Sequence, residues 1–140
     1  MKFLNLIMKL ILRSPLHAML SKSIMVITFT GRKSGRTYST PVSYARRGGE
    51  VLMFTNGAWW KNTRGGARVS LRIRGQELAG TAQPEAEDRA AIAAGLTDFF
   101  RTVPGDARFY KITIGADGIP DAGQVAEAAK KVVMIRIRLA

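Results

Sequence analysis

The sequence predicts a mainly β fold, in which about six antiparallel strands form a closed barrel with flanking helices. Apolar and polar residues alternate over six short stretches, and glycine-containing turns separate these stretches. The connections are short and long crossovers are few, which favours a barrel over a layered α/β fold. With 140 residues the chain can bury a core of its own without disulfides or a structural metal.

The strands are predicted at residues 24–30, 37–45, 50–55, 67–74, 76–83 and 132–139. Pro41 suits an edge or bulge position of the second strand, because proline cannot donate to a neighbouring strand. Residues 59–64 are expected to form a short helix that Gly65-Gly66 ends. On residues 67–74 the arginines alternate with apolar residues, which predicts a half-buried strand with a basic outer face.

Two longer helices are predicted in the second half of the chain. Pro84, followed by Glu85, Glu87 and Asp88, is typical of a first helical turn, so a helix is expected from Pro84 to about Thr102. Residues 122–131 predict a second helix. Residues 108–114 are compatible with either helix or strand. We expect residues 24–140 to form the barrel domain.

Residues 1–23 are predicted to be an N-terminal amphipathic helical segment. Lys2, Asn5, Lys9 and Arg13 fall on one stripe of a helix, and apolar residues cover the remainder. The helix expected over residues 1–13 would span about 20 Å, which is too short to cross a bilayer. It could lie on an anionic membrane surface or pack on the domain, and both alternatives stay open. The expected location is cytoplasmic, with peripheral attachment to the inner membrane face as one option.

The positive charge is concentrated in one part of the chain. The formal net charge is +12, and residues 1–82 hold 14 of the 22 lysines and arginines against only Glu50 and Glu77. Such polarity predicts an anionic partner: a phosphorylated small molecule or a lipid surface. Nucleic acid is not expected, since no nucleic-acid-binding motif accompanies the charge.

Several kinds of catalytic site are excluded by composition and spacing. Cysteine is absent and His17 is the single histidine, so neither a thiolate nucleophile nor a multi-histidine metal site is expected. The sequence lacks a G-x-S-x-G elbow, a G-x-G-x-x-G loop and a P-loop. Serine hydrolase, Rossmann dehydrogenase and nucleotide triphosphatase activities therefore have no support.

The stretch Gly31-Arg32-Lys33-Ser34-Gly35-Arg36, called the basic turn below, directly follows the first strand. Two glycines allow backbone N–H groups to converge, and three cations and a hydroxyl are donors that phosphate oxygens accept. Gly, Ser and Lys are also ordinary turn residues, so a solvated hairpin loop is the alternative. The charge excess around the turn favours the anion site.

The chain resembles the deazaflavin-dependent nitroreductase family. Thr30-Gly31-Arg32-Lys33-Ser34-Gly35, then Pro41 on the second strand, then Trp59-Trp60-x-Asn62 follow one another as in that family, and the resemblance extends from about Leu16 to Leu139. It implies a split β-barrel, binding of the deazaflavin coenzyme F420, and hydride transfer to quinones, activated alkenes such as unsaturated lipids, or nitro compounds.

The resemblance also implies roles for individual residues. Arg32, Lys33 and Ser34 would hold the phosphate or acidic tail of the coenzyme, and Arg36 is a further candidate for the tail. Tyr110 would donate a proton to the acceptor. The coenzyme-binding set comprises Arg32, Lys33, Ser34, Arg36, Tyr38, Thr40, Pro41, Thr55, Asn56, Trp59 and Asn62. No metal is expected.

Three departures from the family pattern point to a second hypothesis. Tyr38 stands where many members have arginine, Asn56 stands where they have lysine, and the loop before Trp59 is shortened to Gly57-Ala58. This pattern is similar to a lipid-associated branch of the family, in which fatty acids occupy the barrel. The alternative function is therefore fatty-acid or lipid binding on the same fold with a weakened coenzyme site.

Overall fold

A seven-stranded antiparallel sheet dominates the computed structural model, which describes residues 24–140. The strands are β1 (Ile24–Thr30), β2 (Thr37–Ser43), β3 (Ala45–Arg47), β4 (Glu50–Thr55), β5 (Ala67–Ile73), β6 (Gln76–Glu85) and β7 (Val133–Leu139). The predicted fold class is thereby confirmed. The predicted helical segment at residues 1–23 lies outside the described residues.

The order of strands across the sheet forces it to curl. The order is β2-β1-β5-β6-β7-β4-β3, so β2 and β3 are at opposite ends of the sheet. Only Tyr44 separates these two strands in the chain. Because one residue spans only a few ångströms, the two ends of the sheet must lie close together. Within residues 24–140, β2 forms a strand pair with β1 alone, and no ladder of backbone hydrogen bonds joins it to β4. The covalent connection through Tyr44 therefore closes the barrel, and a split remains between β2 and β4.

The interior of the barrel is filled by the apolar residues that alternate along each strand. These residues are fully or nearly fully buried and include Met25, Ile27, Phe29, Val51, Met53, Val69, Leu71, Ile73, Ile135 and Ile137. On β5 the intervening Arg68 and Arg72 are exposed. The predicted basic outer face of this strand is therefore confirmed.

Two α-helices and two 3-10 helices cover part of the barrel. They are α1 (Arg89–Thr102), α2 (Ala122–Ala129), and 3-10 helices at Ala58–Thr63 and Pro104–Tyr110. A second apolar cluster joins α1 to the outer side of β4 and β7. In it the rings of Phe54 and Phe99 meet edge to face at 5.5 Å, and Phe100 lies beside Phe99.

The second strand ends earlier than its sequence pattern predicts. The alternation runs through residues 37–45, but β2 ends at Ser43 and Ala45–Arg47 turns to pair with β4. The sheet consequently has seven strands instead of about six. Periodicity could not show this division, since a change of neighbouring strand leaves the inward and outward pattern intact.

The predicted helix start at Pro84 is wrong. Pro84 belongs to β6 and faces Ile135 of β7. The partner strand β5 already ends opposite Ala82, so the missing N–H of Pro84 falls at a local edge of the sheet. The helix instead begins at Arg89, and Asp88 caps it by accepting a hydrogen bond from the N–H of Ala91 at 3.1 Å.

The ambiguous residues 108–114 divide between two conformations. The 3-10 helix ends at Tyr110, Lys111 takes a left-handed backbone conformation with φ 58°, and Ile114 then forms an isolated bridge with Pro120. This reversal directs Tyr110 toward the split in the barrel, where the next section places it.

Candidate functional site

The basic turn is closed by two backbone hydrogen bonds. The N–H of Gly31 donates to the carbonyl of Arg36 at 2.7 Å, and the N–H of Gly35 donates to the carbonyl of Gly31 at 2.9 Å. Gly35 adopts φ 68°, a conformation that a side chain would strain. The glycines therefore serve the closure of the turn itself.

Tyr38 packs over the basic turn from β2. Its hydroxyl is hydrogen-bonded to Oγ of Ser34 at 3.1 Å, and the same Oγ accepts the N–H of Arg36 at 3.2 Å. The ring of Tyr38 stacks on Phe29 with 5.8 Å between centroids. A hydroxyl and an aromatic ring thus occupy the position where many members of the resembled family have an arginine.

Asn62 attaches the basic turn to the first 3-10 helix. Its Oδ1 accepts the backbone N–H of Arg32 at 2.8 Å, while its Nδ2 donates to the carbonyl of Trp59 at 2.9 Å. The ring of Trp59 in turn stacks on Phe29 at 4.9 Å. The W-x-x-N pattern therefore joins two elements that are 30 residues apart in the sequence.

These bonds leave few backbone donors for an anion. The N–H groups of Gly31, Arg32, Gly35 and Arg36 are already bonded within the protein. Those of Lys33 and Ser34 have no partner among residues 24–140. An anion at this turn would therefore be bound mainly by side-chain cations, with at most two backbone N–H groups, and not by a full ring of backbone donors.

The cations around the turn are not neutralised by carboxylates. Arg32, Lys33 and Arg36 are exposed, and Lys61 and Arg64 of the neighbouring 3-10 helix are exposed too. In the described part of the chain the ion pairs are Arg47 with Asp98 and Lys130 with Glu127, and neither involves these five residues. Arg64 instead lies over the ring of Trp60, 4.9 Å from its centroid.

A cavity of about 860 Å³ opens at the split between β2 and β4. One wall is formed by the ends of these two strands, and the other by α2 and the second 3-10 helix. The lining residues are Pro41, Val42, Ser43, Phe54, Thr55, Asn56, Asp106, Phe109, Tyr110, Lys111, Asp121, Gly123, Gln124, Glu127, Ala128, Lys131 and Val132. We call it the split cavity.

Tyr110 is held in the wall of the split cavity by the second apolar cluster. Its ring meets Phe100 at 5.3 Å in an edge-to-face arrangement. Burial, and secondarily the carboxylate of Asp106, raises the pKa of the Tyr110 phenol above its ordinary value. Burial thus strengthens the hold of the phenol on a proton that it already carries at neutral pH.

The predicted site residues thus fall into two neighbouring groups. Arg32, Lys33, Ser34, Arg36, Tyr38, Trp59 and Asn62 form the basic turn and its supports. Pro41, Thr55, Asn56 and Tyr110 line the split cavity, and the hydroxyl of Thr55 accepts the N–H of Gly57 at 3.0 Å. Tyr38 and Pro41 are three residues apart on β2, which separates the groups by about 10 Å.

Thr40 belongs to neither group. It lies half-buried on β2 opposite Ile27 of β1 and does not line the split cavity. Several cavity residues were also missed from the sequence, among them Asp106, Lys111, Gln124 and Lys131. Asp106 and Gln124 belong to the second 3-10 helix and to α2, and Lys111 and Lys131 follow these helices. No motif in the sequence marks these four residues.

No group of three or more potential metal ligands occurs within residues 24–140. The same part of the chain holds no helix that is both long and apolar enough to cross a bilayer.

Residues 14–101 match the sequence family described as F420H2-dependent quinone reductase. The chain belongs to this family. It is accordingly an oxidoreductase that uses F420. No match to the chain was found among curated proteins.

Solved structures with the same fold are distant in sequence. A protein from Clostridium acetobutylicum related to general stress protein 26 of Bacillus subtilis, of the pyridoxinephosphate oxidase family, is 16% identical, with 99% of this chain and 84% of that chain covered and a TM-score of 0.55. An FAD-binding protein from Mesorhizobium loti is 16% identical, with coverages of 91% and 90% and a TM-score of 0.53. The F420-H2 dependent reductase FDR-A is 22% identical, with coverages of 81% and 93% and a TM-score of 0.49. The first two show the split-barrel fold.

Proposed function

We propose that this F420-dependent reductase transfers hydride to a hydrophobic acceptor, such as a quinone, an unsaturated lipid or a nitro compound. The observation that carries the proposal is the cationic basic turn next to a cavity of about 860 Å³. A phosphorylated, acid-tailed coenzyme with a flat ring system needs such a pair of features: unpaired cations for its anionic end and a large cavity for its ring.

In this proposal the basic turn binds the phosphate or the acidic tail. Arg32, Lys33 and Arg36 supply the charge. The hydroxyl of Ser34 supplies a donor once its hydrogen bond with the Tyr38 hydroxyl is broken. A charge-assisted hydrogen bond of this kind contributes roughly 1.5–3 kcal/mol. Because these side chains are exposed, salt in the solvent will weaken their contribution.

The ring of the coenzyme and the acceptor would share the split cavity. When bound, reduced F420 supplies a hydride to the acceptor. Pro41, Thr55 and Asn56 line the cavity, and Phe54 and Val132 give it apolar surface. These residues would orient the ring and exclude water from the face where hydride moves.

Tyr110 would complete the reduction as the proton donor. A quinone that accepts a hydride also needs a proton on its oxygen, and the phenol in the cavity wall carries a proton at neutral pH. Its packing against Phe100 fixes the direction in which the hydroxyl points. Tyr110 would then recover its proton from solvent.

The experiment is a titration of the protein into F420, followed by fluorescence anisotropy at low salt. We expect saturable binding, and with reduced F420 and a naphthoquinone we expect F420 absorbance to recover as the quinone is consumed. If anisotropy stays unchanged up to high micromolar protein, the reductase proposal fails.

Lipid binding is the second candidate function. It is favoured by the apolar part of the split cavity, where Val42, Phe54, Phe109 and Val132 could enclose an acyl chain. The absence of a cation at Tyr38 and Asn56 also favours it. Displacement of a fluorescent fatty acid distinguishes the candidates: displacement by oleate but not by F420 supports lipid binding alone.

We also propose that residues 1–13 attach the protein to an anionic membrane surface. The support is the spacing of Lys2, Lys9 and Arg13 along an otherwise apolar stretch. Flotation with phosphatidylglycerol-containing vesicles tests it. Binding that persists unchanged in a Lys9→Glu variant would contradict the proposal.

A further inference from the structure

We propose that Asn62 is a positioning residue, which fixes the basic turn in the conformation that binds the coenzyme's anionic end. The inference rests on the proposed function of the turn. Asn62 itself need not touch the coenzyme, because both ends of its side-chain amide are engaged: Oδ1 with the N–H of Arg32 and Nδ2 with the carbonyl of Trp59.

The contacts around Asn62 belong to a series of interactions that begins and ends at the basic turn. Asn62 is hydrogen-bonded to Arg32 and to Trp59, and the ring of Trp59 stacks on Phe29. Phe29 stacks on Tyr38, and the hydroxyl of Tyr38 returns to the turn at Ser34. The turn is therefore held from two sides, by Asn62 near its start and by Tyr38 near its end.

We expect loss of the hydrogen bond between Asn62 and Arg32 to weaken coenzyme binding more than it lowers the stability of the fold. This bond is exposed to solvent, so water can replace either partner when the bond is lost and the fold loses little. The same bond determines where the backbone of Arg32 lies, and with it the side chains of Arg32 and Lys33. A preorganised turn binds an anion without first losing conformational freedom.

Thr63 provides a matched control in the same 3-10 helix. Its Oγ1 donates to the carbonyl of Trp60 at 2.6 Å, so this hydrogen bond stays within the helix. Thr63→Val removes a hydrogen bond within this helix, whereas Asn62→Ala also removes its link to the turn. An effect that arises from the helix alone would appear in both variants.

The experiment compares F420 binding by the wild-type chain, Asn62→Ala and Thr63→Val. We expect Asn62→Ala to raise Kd about tenfold, which corresponds to one hydrogen bond of ordinary strength, with a small loss of thermal stability from the broken Asn62–Trp59 bond. Its salt dependence should match the wild type, since no charge is removed. Thr63→Val should leave Kd unchanged, whatever its effect on stability. Equal Kd values for wild type and Asn62→Ala, or an equal loss in both variants, would overturn the inference.

A second measurement needs no coenzyme. Amide hydrogen exchange followed by NMR should show the Arg32 N–H protected in the wild type and in Thr63→Val, and unprotected in Asn62→Ala. Inorganic phosphate should shift the amide signals of Lys33 and Ser34 less in Asn62→Ala than in the wild type. If the wild type binds phosphate at the turn but not F420, the proposed function fails and the positioning role stands. If Asn62→Ala retains both Arg32 protection and the phosphate shifts, the positioning role fails.

Discussion

Gly31 lies directly beneath the ring of Tyr38. A β-carbon on Gly31 would fall 2.6 Å from Cε2 of Tyr38 and 2.6 Å from Oγ of Ser34, closer than carbon atoms approach in proteins. The first glycine of the basic turn is therefore required by the packing of Tyr38, while the second is required by its own positive φ.

Gly31→Ala should destabilise the protein by about 1–3 kcal/mol, the usual cost of forcing an atom into a packed site. Urea denaturation measures this change. Gly49→Ala is the matched control, because a β-carbon at Gly49 meets nothing within 4 Å. Equal stability of the two variants would contradict the close approach of Tyr38 to the turn.

Lys33→Ala should weaken F420 binding roughly 10- to 100-fold, the effect of losing one charge-assisted hydrogen bond. Its affinity should also depend less steeply on salt, because one cation facing the anion is gone. Anisotropy titrations over a range of salt concentrations measure both effects. Arg101→Ala is the control, since Arg101 is an exposed cation in the last turn of α1 and does not line the split cavity. An unchanged affinity for Lys33→Ala would remove the turn from the coenzyme site.

Tyr110→Phe should lower the turnover of quinone by about 10²-fold or more and leave F420 binding nearly unchanged. The substitution keeps the ring against Phe100 and removes only the hydroxyl that would donate the proton. Stopped-flow measurement of F420 oxidation separates the two effects. Turnover equal to that of the wild type would show that water or another group supplies the proton.

The raised pKa of Tyr110 predicts how stability changes at alkaline pH. The phenol holds its proton more tightly in the folded chain than in the unfolded chain, where its pKa is about 10. Its contribution is thus fully present below pH 10 and is lost as pH rises toward the folded-state pKa. The wild type should lose stability above about pH 10 more steeply than Tyr110→Phe. Parallel urea-unfolding profiles of the two proteins would contradict this burial of Tyr110.

Asp88→Ala should cost about 1 kcal/mol, because it removes the cap of α1. Pro84→Ala should leave α1 unaffected, since Pro84 lies in β6 five residues before the helix. Urea denaturation compares the two variants. A larger loss of stability in Pro84→Ala than in Asp88→Ala would favour a helix that starts at the proline.

The residue pattern determined the β fold, most strand positions and the basic turn, because alternating burial and turn chemistry are local properties of the chain. Val69, Leu71 and Ile73 alternate with exposed arginines, and they point into the barrel as this alternation predicts. The family followed from the order of the turn, Pro41 and the W-x-x-N pattern. The helix start failed at Pro84, because proline suits a sheet edge as well as a first helical turn.

The surroundings of these residues depend on contacts between distant parts of the chain. The tertiary structure shows that Asn62 binds the turn backbone, that Tyr38 covers Gly31, and that Thr40 lies outside the split cavity. The cavity joins strand ends to Tyr110 and to α2, which are far away in the sequence. Which distant side chains meet depends on how the sheet curls at Tyr44, and no local pattern encodes that curvature. Local residue chemistry thus specifies the basic turn, whereas long-range packing against Asn62 and Tyr38 leaves only the N–H groups of Lys33 and Ser34 without a partner among residues 24–140.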